Sequence, residues 1–120
     1  MAAILLKFAT YGFLRYTLVL FPIAHFYYLP FIFTLLIISI IYSCLSALNL
    51  SDKKMIIAYS SIAHMNFSLI GLFSNDVYGT IGAILSGLSH GIISSGLFII
   101  INAIYLRHHS RNILYYRGLI

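Results

Sequence analysis

The stretch GTIGAILSGLSHGIISSGLFIIINAIYL, residues 79–106, contains no aspartate, glutamate, lysine or arginine. A helix needs about 20 mostly apolar residues to cross a hydrocarbon core of about 30 Å. Segments of that kind recur at roughly 2–20, 31–48, 55–74 and 79–106, and they account for nearly the whole chain. The fourth is long enough to tilt or protrude. The chain is 62% hydrophobic and 8% charged, with a mean hydropathy of +1.02. An average soluble domain is about 45–50% apolar and about a quarter charged. The sequence therefore reads as an all-α membrane protein with lipids as its surroundings.

The breaks between spans have local causes. Pro22 and Pro30 bracket PIAHFYYLP; each removes an amide donor and restricts its predecessor, which predicts a loop at 21–30 with tyrosines at the interface. Ser51 or Asp52 is the expected acceptor for the free amides that open the third helix, and Ser74, Asn75 and Asp76 are expected to turn before the fourth. There is no internal repeat or linker, so the short connections predict about four antiparallel helices, followed by a basic tail at 107–120.

The net charge of +5 has a similar explanation. Lys53 and Lys54 in the second connection fall on the same side as Arg107, Arg111 and Arg117 in the tail, whereas 21–30 and 74–78 contain no lysine or arginine. By the positive-inside rule, both termini face the cytoplasm or the mitochondrial matrix. These charges read as topology signals, and no nucleic-acid partner is expected. The opening MAAILLKF lacks the basic region and cleavage site of a secretory signal, so no segment is expected to be removed.

Several chemistries have no anchor. The single cysteine, Cys44, gives no disulfide framework or cysteine metal site and is expected to serve packing. There is no glutamate, and Asp52 and Asp76 both lie in connections, so no carboxylate pair stands inside the bundle. His108 and His109 have no further ligand at metal-site spacing and read as an interfacial basic patch.

Against that background Lys7, His64, Asn66 and His90 stand out. At about 1.5 Å per residue, His64 lies on the order of 14 Å from Met55 and His90 on the order of 15 Å from Thr80, so antiparallel packing places both near the midplane. An ionisable group there costs about 2.5–3.5 kcal/mol unless it meets a partner or a hydrated cavity. His64 has Ser60, Ser61 and Ser68 one turn away, and His90 has Ser86 and Ser94. Such a face can relay protons through hydroxyls, imidazoles and water. It can also hold two helices together by neutral hydrogen bonds, and for Asn66 that ordinary interhelical role stands beside a functional one. Lys7 is open to snorkelling at a helix end as well as to function, and Arg15 either snorkels to the opposite side or meets a polar partner from elsewhere. Gly79, Gly82, Ala83, Ser86, Gly87, His90, Gly91 and Ser94 recur at helical spacing, a narrow face for close helix approach.

Three runs, ILLKFATYGFLRY at 4–16, FIFTLLIISIIYSCLSALNLSDKKMIIAYSSIAHMNFSLIGLFS at 31–74 and GLSHGIISSGLFIIINAIYLRHHSRNILYYRGL at 87–119, resemble the antiporter-like membrane subunits of respiratory complex I, NADH:ubiquinone oxidoreductase. That family is shared with Mrp-type sodium/proton antiporters. The resemblance covers essentially the whole chain and implies a fold of about fourteen transmembrane helices, of which this chain corresponds to the eighth through eleventh. It implies that Lys7 occupies the place of the relaying lysine of the LLK motif, and that His64 of AHMN and His90 of LSHG line the same hydrated axis. The family's upstream glutamate and second lysine and its downstream lysine or glutamate have no counterpart here. Chains carrying the flanking helices, with the other membrane-arm subunits, are therefore the expected partners. No cofactor is expected in this chain; FMN, iron–sulfur clusters and ubiquinone belong to other subunits of the enzyme.

The expected location is the mitochondrial inner membrane, in keeping with a composition rich in isoleucine, phenylalanine and tyrosine, or else a bacterial plasma membrane. The expected role is proton translocation coupled to NADH oxidation. The alternatives are an Mrp-type sodium/proton antiporter subunit and a structural fragment without its own proton path.

Overall fold

The structure, a computed structural model, describes residues 4–116. Arg117, counted above among the orienting charges, lies outside the described residues, as do residues 2 and 3 of the first span and the end of the basic tail. The helices are α1 (Leu5–Gly12), a π-helical turn (Phe13–Thr17), α2 (Leu18–Leu20), α3 (Pro22–Asn49), α4 (Lys53–Phe73) and α5 (Val77–His108), followed by a 3-10 turn at Ile113–Tyr116. No strand occurs among the described residues beyond an isolated bridge between Asp52 and Asn112.

Three helices, α3, α4 and α5, are each long and apolar enough to cross a membrane. The run from Leu5 to Leu20 is about 24 Å long at the α-helical rise and does not reach the length of a full core on its own. The chain is thus an all-α, multi-pass membrane protein.

The loop expected at 21–30 is helical. Phe21 alone breaks the chain, at φ −128° and ψ 57°, and α3 starts at Pro22. A proline in the first turn lacks an amide that has no intrahelical acceptor there. Pro30 then sits inside the same helix, exposed on its surface. Spanning helices tolerate proline because packing and local adjustment can satisfy the freed groups.

Residue pairs show the direction of packing. Ser68 meets Ser86, and His64 meets His90, so residue numbers fall on α5 as they rise on α4. Asn66 Nδ2 donates to Ser39 Oγ at 2.6 Å, tying α4 to α3. α4 therefore lies between α3 and α5, while α1 touches α5 and α2 touches α3. Asn66 is the interhelical link its residue type allows.

The ends differ in construction. Ser74–Asp76 make a turn in which Asn75 takes a positive φ of 58°, a conformation asparagine tolerates. At the other end neither Ser51 nor Asp52 makes the expected cap; α4 has no side-chain cap bond. The Lys53 amide donates instead to Arg111 O at 3.3 Å, and Ile113 N to Ser51 O at 3.0 Å. The segment after α5 has taken over the work of the cap.

Close approach is confined to the turn end. A Cβ on Gly79 would collide with Ser74 Oγ and with the backbone carbonyl of Gly71, whereas Gly82 and Gly87 face open space. The small-residue face thus brings two backbones together at one point. Gly79→Ala is expected to destabilise by about 1–3 kcal/mol, because the Gly71 carbonyl cannot swing aside. Thermal unfolding of the detergent-solubilised assembly checks this, with Gly82→Ala as the unhindered control; equal midpoints for the two would contradict the contact.

The apolar core is small: among the described residues, Met65, Leu72, Phe73 and Ala83 are the buried hydrophobic ones. Most large apolar side chains of α3 and α5 face outward, as lipid or neighbouring helices require. Cys44 is exposed on α3 and is not part of that core.

Candidate functional site

Lys7, His64 and His90 come from three helices and meet at one level. Lys7 Nζ of α1 lies 3.3 Å from His90 Nδ1 of α5. With the lysine as an ammonium, Nζ donates and the imidazole keeps its own proton on Nε2. The rings of His90 and His64 have centroids 5.5 Å apart, tilted by 46°. His90 is thirteen residues from the start of α5, about 20 Å along the axis, so the group stands near the middle of that helix.

This depth changes the reading of Lys7. A snorkelling lysine would reach for a helix end, but here the half-buried amine is turned to an imidazole at the centre of α5. Arg15 lies on the π-helical turn.

Hydroxyls continue the polar layer in both directions. A cavity of about 290 Å³ between α4 and α5 is lined by His64, His90, Ser60, Ser61, Ser68, Ser86, Ser89 and Ser94, closed at the sides by Ile57, Phe67, Ile93 and Leu97. That is room for several waters beside polar partners. Ser60 and Ser61 donate to Ile57 O, and Ser94 to Gly91 O, which keeps their oxygens facing the cavity as acceptors.

Ser68 and Ser86 have a more particular arrangement. Their oxygens are 2.7 Å apart, while Ser68 Oγ is 3.1 Å from His64 O and Ser86 Oγ is 3.0 Å from Ala83 O. Two hydroxyl protons thus face three possible bonds, and only two can form at once. Either serine can donate to the other, and the second then donates to its own helix. The pair has two orientations of nearly equal bonding, the property a reversible proton relay needs.

The cavity is open on one side. His64 is exposed and His90 half-buried in this chain. An imidazole facing hydrocarbon is costly unless it meets a partner or water.

Reading the sequence missed two buried polar groups near the turn end. His25 is buried, stacked on Phe73 with centroids 5.0 Å apart and planes 14° apart, and Phe13 meets Phe73 edge-on at 5.4 Å. Neither ring nitrogen of His25 has a hydrogen-bond partner, and neither has Thr10 Oγ1. The two prolines of PIAHFYYLP hide His25 in the sequence by pointing to a loop; its place in α3 is what turns the ring inward. Among the described residues no cluster of three histidine, cysteine, aspartate or glutamate side chains could hold a metal ion.

Comparison with known proteins bears on the whole of this layer. The chain is 52% identical over all 120 residues to NADH-ubiquinone oxidoreductase chain 4 of Marchantia polymorpha. It is 52% identical over the same length to that of Arabidopsis thaliana and 43% identical to that of Acanthamoeba castellanii. In each case it spans 24% of the relative's length. The model of the NADH:quinone oxidoreductase/Mrp antiporter transmembrane family matches residues 1–120. Three helices long and apolar enough to cross a membrane and a family match along the entire chain agree: this chain belongs to the NADH:quinone oxidoreductase/Mrp antiporter transmembrane family.

Proposed function

We propose that this chain is a segment of a proton-translocating membrane-arm subunit of respiratory complex I, and that Lys7, His90 and His64 form part of its proton route. The observation that carries the reading is the 3.3 Å approach of Lys7 Nζ to His90 Nδ1 beside a hydroxyl-lined cavity.

The residues supply a complete local step. A proton leaves Nζ of the Lys7 ammonium and binds Nδ1 of His90, leaving a neutral amine and an imidazolium. The imidazolium then releases its Nε2 proton to water or to His64 across the cavity. An imidazole suits this, since one ring nitrogen can accept a proton while the other releases one. The Ser68–Ser86 pair accepts on one side and donates on the other by exchanging its two orientations. Waters held by the other serines fill the remaining distance.

This chain does no redox chemistry in the proposal. Electron transfer from NADH to ubiquinone takes place in other subunits, which hold FMN and iron–sulfur clusters, and the open side of the cavity is covered by helices from chains that supply the rest of the antiporter-like unit. The location is the mitochondrial inner membrane, with both termini in the matrix, the side on which Lys53, Lys54, Arg107 and Arg111 gather.

The test is vesicle reconstitution of the native assembly containing this chain, following a pH-sensitive dye during NADH oxidation by a water-soluble ubiquinone. A pH gradient that requires NADH and is indifferent to sodium is expected. A gradient driven by sodium without NADH would instead identify a sodium/proton antiporter.

A further inference from the structure

Two buried polar groups that the Lys7–His90–His64 layer does not use lie towards the turn end of the bundle. His25 belongs to the first turns of α3 and is 6% exposed. Its ring stacks on Phe73, the last residue of α4, and Phe13 meets the same phenylalanine edge-on. Among the described residues neither ring nitrogen has a hydrogen-bond partner, and the same holds for the hydroxyl of Thr10 on α1, which is 8% exposed. Ser74, Asn75 and Asp76 follow Phe73 and are exposed, so His25 lies just beneath that end of the bundle.

A neutral imidazole carries one N–H donor and one acceptor nitrogen. Buried groups of that kind are met by a partner, and hydrocarbon supplies none. Both nitrogens are already covered by this chain, which leaves little room for a side chain from another helix. A water molecule is small enough and offers both a donor and an acceptor. Thr10 stands on the way from the lysine to this ring. It follows Lys7 by three residues on the same face of α1, and both border a groove of about 360 Å³ between α1 and α5. Water entering there has the amine and the hydroxyl as partners. Phe13, three residues further on, touches Phe73 from the side of α1, so Lys7, Thr10 and Phe13 lead towards His25. Along α4, His64 and Phe73 are about 14 Å apart, a distance that a few waters span.

We propose that Thr10 and His25 bind ordered water between the Lys7–His90 pair and the Ser74–Asp76 turn, and that His25 passes protons from this water to the turn end. The inference rests on the proton route proposed above and extends it towards that end of the bundle. One ring nitrogen takes the excess proton arriving through the water and gives an imidazolium. The other nitrogen then releases its proton to water beside the turn, so the ring is neutral again and no net charge stays in the bundle. The stack on Phe73 fits this role, because it fixes the plane of the ring through its apolar face and leaves both nitrogens at the edge.

The test uses the native assembly reconstituted in vesicles, with dye quenching normalised to NADH oxidation. His25→Phe keeps a ring for the stack on Phe73 and removes both nitrogens; Thr10→Val keeps the shape and removes the hydroxyl. His25→Phe is expected to lower pumping about tenfold or more with subunit composition unchanged, and Thr10→Val to lower it as well. His25→Gln restores hydrogen bonds without proton capture and is expected to be as impaired as His25→Phe. Normal pumping in His25→Phe, or its rescue by glutamine, would overturn the proposal; if Lys7→Ala is impaired at the same time, the layer around Lys7 stands without it. Normal pumping in Lys7→Ala would instead remove the route on which the proposal rests, and the proposal with it. Should the His25 variants fail to assemble, the wild-type assembly decides through cryo-electron microscopy at a resolution that shows ordered water. Water within hydrogen-bond distance of a His25 ring nitrogen is expected. A dry ring, or a polar side chain of another subunit in that place, would overturn the proposal.

Discussion

Lys7→Ala is expected to lower proton translocation by the intact assembly about tenfold or more while leaving its subunit composition unchanged. A positioned proton donor contributes about 100-fold to 10,000-fold to the step it serves. Removing the amine leaves His90 Nδ1 without the donor 3.3 Å away. Lys7→Arg separates this from a static role. Arginine keeps the charge and can donate to Nδ1, but it does not release its proton in proteins. If Lys7 only balances charge or ties α1 to α5, arginine should restore translocation; if Lys7 carries a proton, arginine should be as inactive as alanine. Dye quenching in reconstituted vesicles, normalised to NADH oxidation, reads the difference. Normal pumping in an assembled Lys7→Ala complex would reject the proposed route.

The second large effect is expected from the histidine pair. Replacing His64 and His90 together by alanine removes both titratable rings from the cavity between α4 and α5, leaving serines that bind water but do not hold a proton at neutral pH. Pumping should fall about tenfold or more, and quinone reduction tightly coupled to it should slow in parallel. Glutamine at both positions is the informative companion, because its amide can reproduce hydrogen bonds but not proton capture. A structural pair would be rescued by glutamine. A relaying pair would not, and retained pumping in the double alanine variant would assign the layer to helix packing alone.

The positions of the later helices were close to legible. Expected spans at 55–74 and 79–106 became α4 at Lys53–Phe73 and α5 at Val77–His108. Long uncharged runs closed by polar turns have few other solutions in a bilayer. The same reasoning does not hold at 21–30, where the prolines do not break the helix. Pro22 begins a helix because its missing amide has no intrahelical acceptor at that position, and Pro30 is accommodated inside a helix of 28 residues. The error then concealed His25, whose burial follows from that helix. The matching depth of His64 and His90 could be counted from helix length, since a rise of about 1.5 Å per residue applies to both. The partner of Lys7 could not be read this way. Its placement depends on where α1 begins and on a π-helical turn that no residue in FLRYT announces.

That turn has a consequence for the proton-handling layer. The Leu18 amide reaches back five residues to Phe13 O, so the turn holds one residue more than an α-helical turn. In an α-helix each residue rotates the face by about 100°. Phe13–Thr17 therefore acts as a phase shifter between the part of the helix that leads into α3 and the part that carries Lys7. The direction in which the amine points is encoded partly in a residue count, and the bearing of one charge across the membrane depends on five residues that lie a full turn or more away from it.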